Sequence, residues 1–395
     1  MTFEFPRFPL PFIDALRQQP DMYFSRVLDL VSLSKRDAPT RAALLNGYGV
    51  VMIERVANTE LLDAFLARYP HCLLGQRFDE SKDLSGLSNR AVWLRLPRGF
   101  NEPLTGVRLP AHLLHFHFGF RFNSSVDGVV LPPTLQSLTF SSFFDKSIER
   151  MPLPSGLTHL DMGVDFKQPL DKVVLPSSLK ELKLSWHFNH PLDKVALPTT
   201  ITSLSLGTSF NHPIDQFALP AALTELIFST YFNQSLDRVT FPTALTRIKI
   251  HGWFDQPLDK VKLPPALKHL SLEWQRNQPL AGVALPASLE SLTLGNKFNQ
   301  PIDRVLWPAS LIDLSFGTAF DQCLDHVAFP PSLARLTLGA DFRQSFERVV
   351  FPPSFVHLLV LLNAHVQLAC FSRMPRVRVF HTLPYPPSSP DEYGD

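Results

Sequence analysis

From Phe100 to Phe342 the chain restarts one phrase every 22 residues, twelve times over, without an insertion or deletion. FNHPLDKVALP at 188–198 is followed by FNHPIDQFALP at 210–220. A unit this short cannot bury its own apolar face, so each copy must stack on its neighbours. Two prolines in many units leave little room for helix. A strict period without gaps also means that every column of the repeat occupies one place on a coil.

Counting from the Phe as position 1, each column has a physical reading. Position 1 is Phe in eleven of the twelve units, the exception being Arg276. A Phe at one place per coil predicts an internal aromatic stack. Position 5 is always apolar, and positions 8 and 10 are apolar around a variable residue, which reads as a short extended segment. Position 11 is Pro throughout, from Pro110 to Pro352; lacking an N–H, it ends that segment and turns a corner. Positions 14, 17 and 19, such as Leu179, Leu182 and Leu184, are expected to point inward from a short strand whose copies form a parallel sheet. Alternation then predicts positions 16, 18 and 20 on the outer face. Position 2 is Asn in seven units and Asp in three, and position 3 is Gln in six successive units from Gln234 to Gln344. Amides stacked at strand spacing predict a hydrogen-bonded ladder. A column of similar charges at position 6 is a wall motif, because a catalytic group is needed once rather than ten times.

The phrase F-N-Q-P-[LI]-D…L-P-x-S-L-x-x-L-x-L-G resembles the FNIP repeat, a 22-residue relative of leucine-rich repeats. FNQPIDRVLWPASLIDLSFG at 298–317 and FKQPLDKVVLPSSLKELKLS at 166–185 are close matches. The resemblance covers residues 78–360 and implies a leucine-rich-repeat-like solenoid, with no catalytic activity. The expected fold is therefore mainly β, an open parallel β-solenoid of about 13 coils with a helical or α/β N-terminal cap. Departures from the pattern are local, at Arg276, Ala281 and Cys323.

Four segments are expected. Residues 1–77 form a helical to α/β cap, 78–363 the repeat solenoid, 364–380 a C-terminal capping strand and 381–395 a disordered, Pro/Ser-rich tail. Within the cap, GVVMIERV (49–56) reads as a strand, TELLDAFLARY (59–69) as an amphipathic helix with Thr59 as N-cap, and HCLL (71–74) as a further strand. RVRVF (376–380) reads as the last strand. Residues 10–48 carry a resemblance to an F-box in Leu10-Pro11, VLDLVSL and Ser34-Lys35. That resemblance implies recruitment of a ubiquitin-ligase adaptor. Phe12-Ile13 stands where the family has an acid and no aromatic follows Ser34-Lys35, which favours a plain helical cap.

Lys and Arg total 37 against 36 Asp and Glu, which argues against a general electrostatic grip on nucleic acid or an anionic membrane. Three cysteines, Cys72, Cys323 and Cys370, lack zinc spacing and are too few for a disulfide framework. With no evident signal peptide and no run of about 18 apolar residues, the expected location is intracellular, in the cytoplasm. No nucleophile elbow, phosphate loop or dinucleotide fingerprint occurs. The expectation is a chain that is not an enzyme and has no cofactor or metal. His115 and His117 leave one strand face together and offer two metal ligands, but no third strong ligand lies beside them.

One irregularity points to binding. Tyr231, Trp253 and Trp274 fall at positions 21–22 of three successive coils, and Trp186 holds position 21 two coils earlier. Arg247, Lys249, His251 and Glu273 border them, and Arg276 breaks the next coil. Tyr, Trp and Arg dominate binding hot spots; the alternative is that the rings are edge filler. The function expected is a non-enzymatic scaffold for a protein partner. The alternative is the substrate-recognition subunit of an F-box type ubiquitin ligase, engaging its adaptor through residues 1–48.

Overall fold

The computed structural model describes residues 50–53, 73–77, 91–274, 277–360 and 378–381. The helix expected at 59–69, the F-box resemblance at 10–48 and the tail from 382 lie outside the described residues. The chain divides into two compact units, Met1–Gly163 and Val164–Asp395.

In the first unit, β1 (Val50–Ile53), β2 (Leu73–Arg77), β3 (Ala91–Arg95), β4 (His115–His117), β5 (Ser137–Thr139) and β6 (His159–Asp161) pair in chain order, all parallel. In the second, β7 (Glu181–Lys183), β8 (Ser203–Ser205), β9 (Glu225–Ile227), β10 (Arg247–Gly252), β11 (His269–Trp274), β12 (Ser291–Leu294), β13 (Asp313–Ser315), β14 (Arg335–Leu338), β15 (His357–Val360) and β16 (Arg378–His381) do the same. From β3 to β15 each coil contributes one strand to a parallel β-solenoid. Neighbouring strands pair residues 22 apart, such as Leu204 with Leu226, so the sequence period is also the sheet register.

The turns that close each coil come from the invariant columns. The carbonyl of the position 11 proline accepts the amide of position 14 in all twelve repeats, from Leu113 on Pro110 (3.1 Å) to Phe355 on Pro352 (3.0 Å). Position 5 does the same for position 8, as in Val195 on Leu192 (3.0 Å). Inside the turns lie the apolar columns. Phe122, Phe144, Phe188, Phe210, Phe232, Phe254 and Phe320 are completely buried. Phe188 and Phe210 stack at 6.5 Å, and Phe232 and Phe254 at 6.1 Å. Burying one such side chain contributes about 1.5–3 kcal/mol, so the Phe column is a main source of stability.

The polar ladder differs from the expected Gln-on-Gln arrangement. Its spine is the position 2 Asn or Asp, whose Oδ1 accepts the position 2 backbone amide of the next coil. Asn211 takes Asn233 N–H at 2.9 Å, and Asn233 takes Asp255 N–H at 2.9 Å. The glutamines lean on the same oxygens: Gln234 Nε2 donates to Asn211 Oδ1 at 3.0 Å, and Gln322 Nε2 to Asn299 Oδ1 at 2.8 Å. One oxygen with two lone pairs serves both donors. A parallel row is built at position 13, where Thr134, Thr200, Ser288, Ser310 and Ser354 donate to carbonyls of the preceding coil.

Position 20 overturns the outward expectation in most coils. Ser141, Ser185 and Ser229 are buried, and each hydroxyl donates to the carbonyl of the Phe that opens its own repeat. The intervening position 20 residues are glycines. At Gly207, with φ +71°, a Cβ would overlap the Ser185 carbonyl oxygen. The three-residue strands end at position 18, and the chain then turns inward against the previous coil, where only Gly or Ser fits. Period-2 alternation does not extend to position 20 because the strand has already stopped.

Candidate functional site

Two coils break the position 20 rule. Their residues are His251 and Glu273, where nine repeats have Gly or Ser and the last has Leu361, outside the described residues. Neither side chain fits the inward turn, so the strand continues. β10 and β11 run for six residues, while β7, β8 and β9 have three. The added length is paired in register, His251 with Glu273 and Gly252 with Trp274. Alternation now holds to the strand end: Ile248 and Ile250 are buried, and Arg247, Lys249 and His251 face out. In these two coils position 20 does lie outward.

The exposed ends interact. His251 Nδ1 lies 3.3 Å from Glu273 Oε2, and Ser271 Oγ donates to Glu273 Oε1 at 2.9 Å. The bond with His251 holds the Glu273 carboxyl below the usual carboxylate range; burial pulls the other way and Ser271 and Lys249 add to the lowering. Arg247, Lys249, His269, Ser271 and Glu273 line a shallow depression on the sheet face. The rim beside it carries exposed rings. Tyr231 is 53% exposed and Trp253 54%, values unusual for such large apolar groups. Their amides are tied down, Tyr231 N–H to Thr208 O at 3.0 Å and Trp253 N–H to Thr230 O at 2.8 Å. The rings thus project from a fixed backbone.

The other sequence candidates are distributed as follows. Trp186 is exposed, two coils before Tyr231. Trp274 ends β11, and Arg276 lies outside the described residues. Arg247 is tethered: its Nη1 stands 3.6 Å from Glu225 Oε1 on the preceding strand, so it is a less available cation than Lys249. That pairing follows from the 22-residue register, which places position 16 residues side by side. The same logic pairs Arg335 with Asp313.

His115 and His117 do share the outer face of β4. His117 sits 5.4 Å from the Trp93 ring, and its pKa falls to about 4 through burial, then the nearby charges of Arg95 and His115. Among the described residues no group of three or more His, Cys, Asp or Glu side chains is placed to hold a metal ion. Two contacts go beyond the sequence reading: the Arg98 guanidinium lies 5.1 Å over the Phe120 ring, and Phe120 meets the exposed Phe143 edge-on at 5.2 Å. The aromatic residues at positions 21 and 22 of those coils were the available signal. Among the described residues no helix is long and apolar enough to cross a membrane.

Comparison with known proteins gives a consistent result. The FNIP Repeat family model matches residues 100–143, 144–186, 188–231, 232–273, 277–319 and 320–359, more than half of the chain. No curated protein matches the sequence. The solved structure of CroV588, described as a novel circular LRR protein, is similar at 32% identity and a TM-score of 0.63, over 74% of this chain and 47% of that one. The present chain therefore spans about half the length of CroV588. A chain of the Toll–Spatzle complex from Drosophila shares the fold at a TM-score of 0.55, with 12% identity over 89% of this chain and 51% of its own.

Proposed function

Because the chain belongs to the FNIP repeat family, we propose that it is a non-enzymatic protein-binding scaffold whose partner docks on the rim of β9, β10 and β11. The observation that supports this is the flare itself. A repeat that keeps its turn column to Gly and Ser in nine coils departs from it in two successive interior coils, at His251 and Glu273, and the departure lies next to two half-exposed rings. The composition there, Tyr231, Trp253 and Lys249 around a polar depression, is that of a hot spot with a polar surround.

The test is affinity capture from the native cell with the full chain, run beside Trp253→Ala/Lys249→Ala. A protein retained by the first and lost by the second, with affinity weakened by about 2 kcal/mol or more, supports the rim. Partners retained equally by both remove it and leave the rings as edge filler. Retention of a ubiquitin-ligase adaptor that depends on residues 1–48 would instead favour the substrate-recognition reading.

A further inference from the structure

The first unit carries a charged aromatic rim of its own. Arg98 and Phe120 stand one 22-residue period apart, and so do Arg121 and Phe143. The register therefore puts an arginine one coil before a ring in each of two adjacent columns. The Arg98 guanidinium lies 5.1 Å over the Phe120 ring, and Phe120 meets Phe143 edge-on at 5.2 Å. Both arginines are exposed, and Phe143 is 46% exposed. Their backbone is tied from coil to coil, Arg121 N–H to Arg98 O at 3.0 Å and Phe143 N–H to Phe120 O at 3.4 Å. The side chains thus project from a fixed frame, which lowers the ordering cost of binding.

The charge here is one-sided. Among the described residues Arg95, Arg98 and Arg121 have no ion-pair partner, while Glu102 and Asp145, close to them in sequence, have partners of their own. Outward on β3–β5 stand Trp93, Arg95, His115, His117, Ser137 and Thr139, without an acid among them. The first outward carboxylate is Asp161 on β6, and it accepts the Gly163 N–H at 2.8 Å. Arg95 pairs in register with His117; burial keeps that imidazole neutral, and the positive charge of Arg95 adds to the effect. A guanidinium resting on a ring keeps its N–H edge for a carboxylate, and Arg beside aromatic rings is a common anchor at protein interfaces. Nucleic acid fits less well. Single strands need open ring faces to stack on, whereas these rings meet edge-on and Arg98 covers one face of Phe120. Three cations also neutralise few phosphates.

We propose that Arg98, Phe120, Arg121 and Phe143 form a second docking surface, for an acidic segment of a partner protein that sets carboxylates on the two guanidiniums and an apolar side chain against Phe143. It stands whether or not the β9–β11 rim binds a partner.

Panning a phage-displayed random peptide library on the immobilised full chain tests it. Recovered peptides should carry Asp and Glu around an aromatic or branched apolar residue. Synthetic copies, followed by fluorescence anisotropy, should bind Arg98→Gln/Arg121→Gln about tenfold or more weakly than the parent. They should bind Trp253→Ala/Lys249→Ala as tightly as the parent. Raising the salt to about 1 M, where the screening length is about 3 Å, should weaken binding to the parent several-fold, a readout that needs no variant to fold. Recovery of no acidic peptides, a salt-insensitive affinity, or an arginine variant that binds like the parent overturns the proposal. Loss in the Trp253/Lys249 variant with retention in the arginine variant also overturns it, by moving the acidic ligand to the other rim. Labelled oligo-dT that binds more tightly than the acidic peptides, and is lost with the same two arginines, overturns it in favour of nucleic acid.

Discussion

The coils at β7–β9 and those at β10–β11 are built from the same repeat and end differently. In the former, three strand residues are followed by an inward turn, and Ser185 and Ser229 hide their hydroxyls on the carbonyls of Phe166 and Phe210. In the latter, His251 and Glu273 are too large for that turn, the strands double in length, and a charged pair is placed on the surface beside exposed rings. One column therefore decides whether a coil closes on itself or offers side chains to solvent. The wider lesson is that in a uniform array the place where a local rule is suspended is the place to look for function.

The largest effect that should separate the two regions is loss of a core ring. Phe210→Ala, in a closed coil, should cost about 3–5 kcal/mol. Trp253→Ala, at the flare, should stay within about 0.5 kcal/mol, as for other surface substitutions. Chemical denaturation of the two variants side by side checks this; similar losses would mean that the Trp253 ring is structural.

A transplant of the flare comes next. Gly207→His puts a flare residue into a closed coil, where φ is +71° and a Cβ overlaps the Ser185 carbonyl. The expected cost is about 3 kcal/mol from forced backbone rearrangement. Hydrogen exchange should show faster opening in the coils around 185–210 while those around 298–340 keep their protection. A variant as stable as the parent would show that the column tolerates either kind of turn.

The smallest effect contrasts two outward groups. His117 is crowded by Arg95 and His115, and its folded pKa of about 4 lies below the unfolded value of 6.5. Its neutral form is thus the one the fold accepts. Its contribution is intact above pH 6.5 and declines as pH falls from 6.5 toward 4, where the unfolded chain takes up the proton first. After allowance for solvent screening at a half-buried site, about 2 kcal/mol should be lost. Glu273 has a lowered folded pKa, so its share is lost at lower pH, below its ordinary value of 4.5. Unfolding free energies measured across this range should fall less steeply for His117→Gln than for the parent. Parallel curves would show that His117 titrates normally.

Much of this was legible in the sequence because a gapless period is itself a register. Positions 14, 17 and 19 and the proline corner follow from columns whose physics is the same in every repeat, and the Phe stack from one broken only at Arg276. Position 20 escapes the same reasoning because alternation says which way a side chain points within a strand and nothing about where the strand ends. The Gly and Ser in that column were the missing signal: small residues in nine of twelve repeats mean close approach of backbone, and the successive pair His251 and Glu273 then stands out. Exposure of Tyr231 and Trp253 was foreseeable, since both fall beyond the strand. The tethering of Arg247 by Glu225 was less so, because it depends on which of several neighbouring charges the guanidinium chooses. Gln234, Gln256, Gln278, Gln322 and Gln344 find the position 2 Asn or Asp oxygen rather than one another because that oxygen is held in place by a backbone amide, while a neighbouring Gln side chain would first have to be ordered.

The position 2 bonds join residues 22 apart, as from Asn233 to Asn211 and from Asp255 to Asn233. However many coils are added, the distance along the chain between partners stays the same, and so does the loop entropy of making the next bond. Assembly can then advance like a zipper, each finished coil serving as the template for its neighbour, with a speed governed by short-range closure rather than total length. Tension reverses the process. A chain held by its two ends would release whole coils in succession, each freeing about 70 Å of slack as 22 residues extend at about 3.4 Å apiece and one strand spacing is given up. Such an array behaves as an extensible tether with a repeating unit of length.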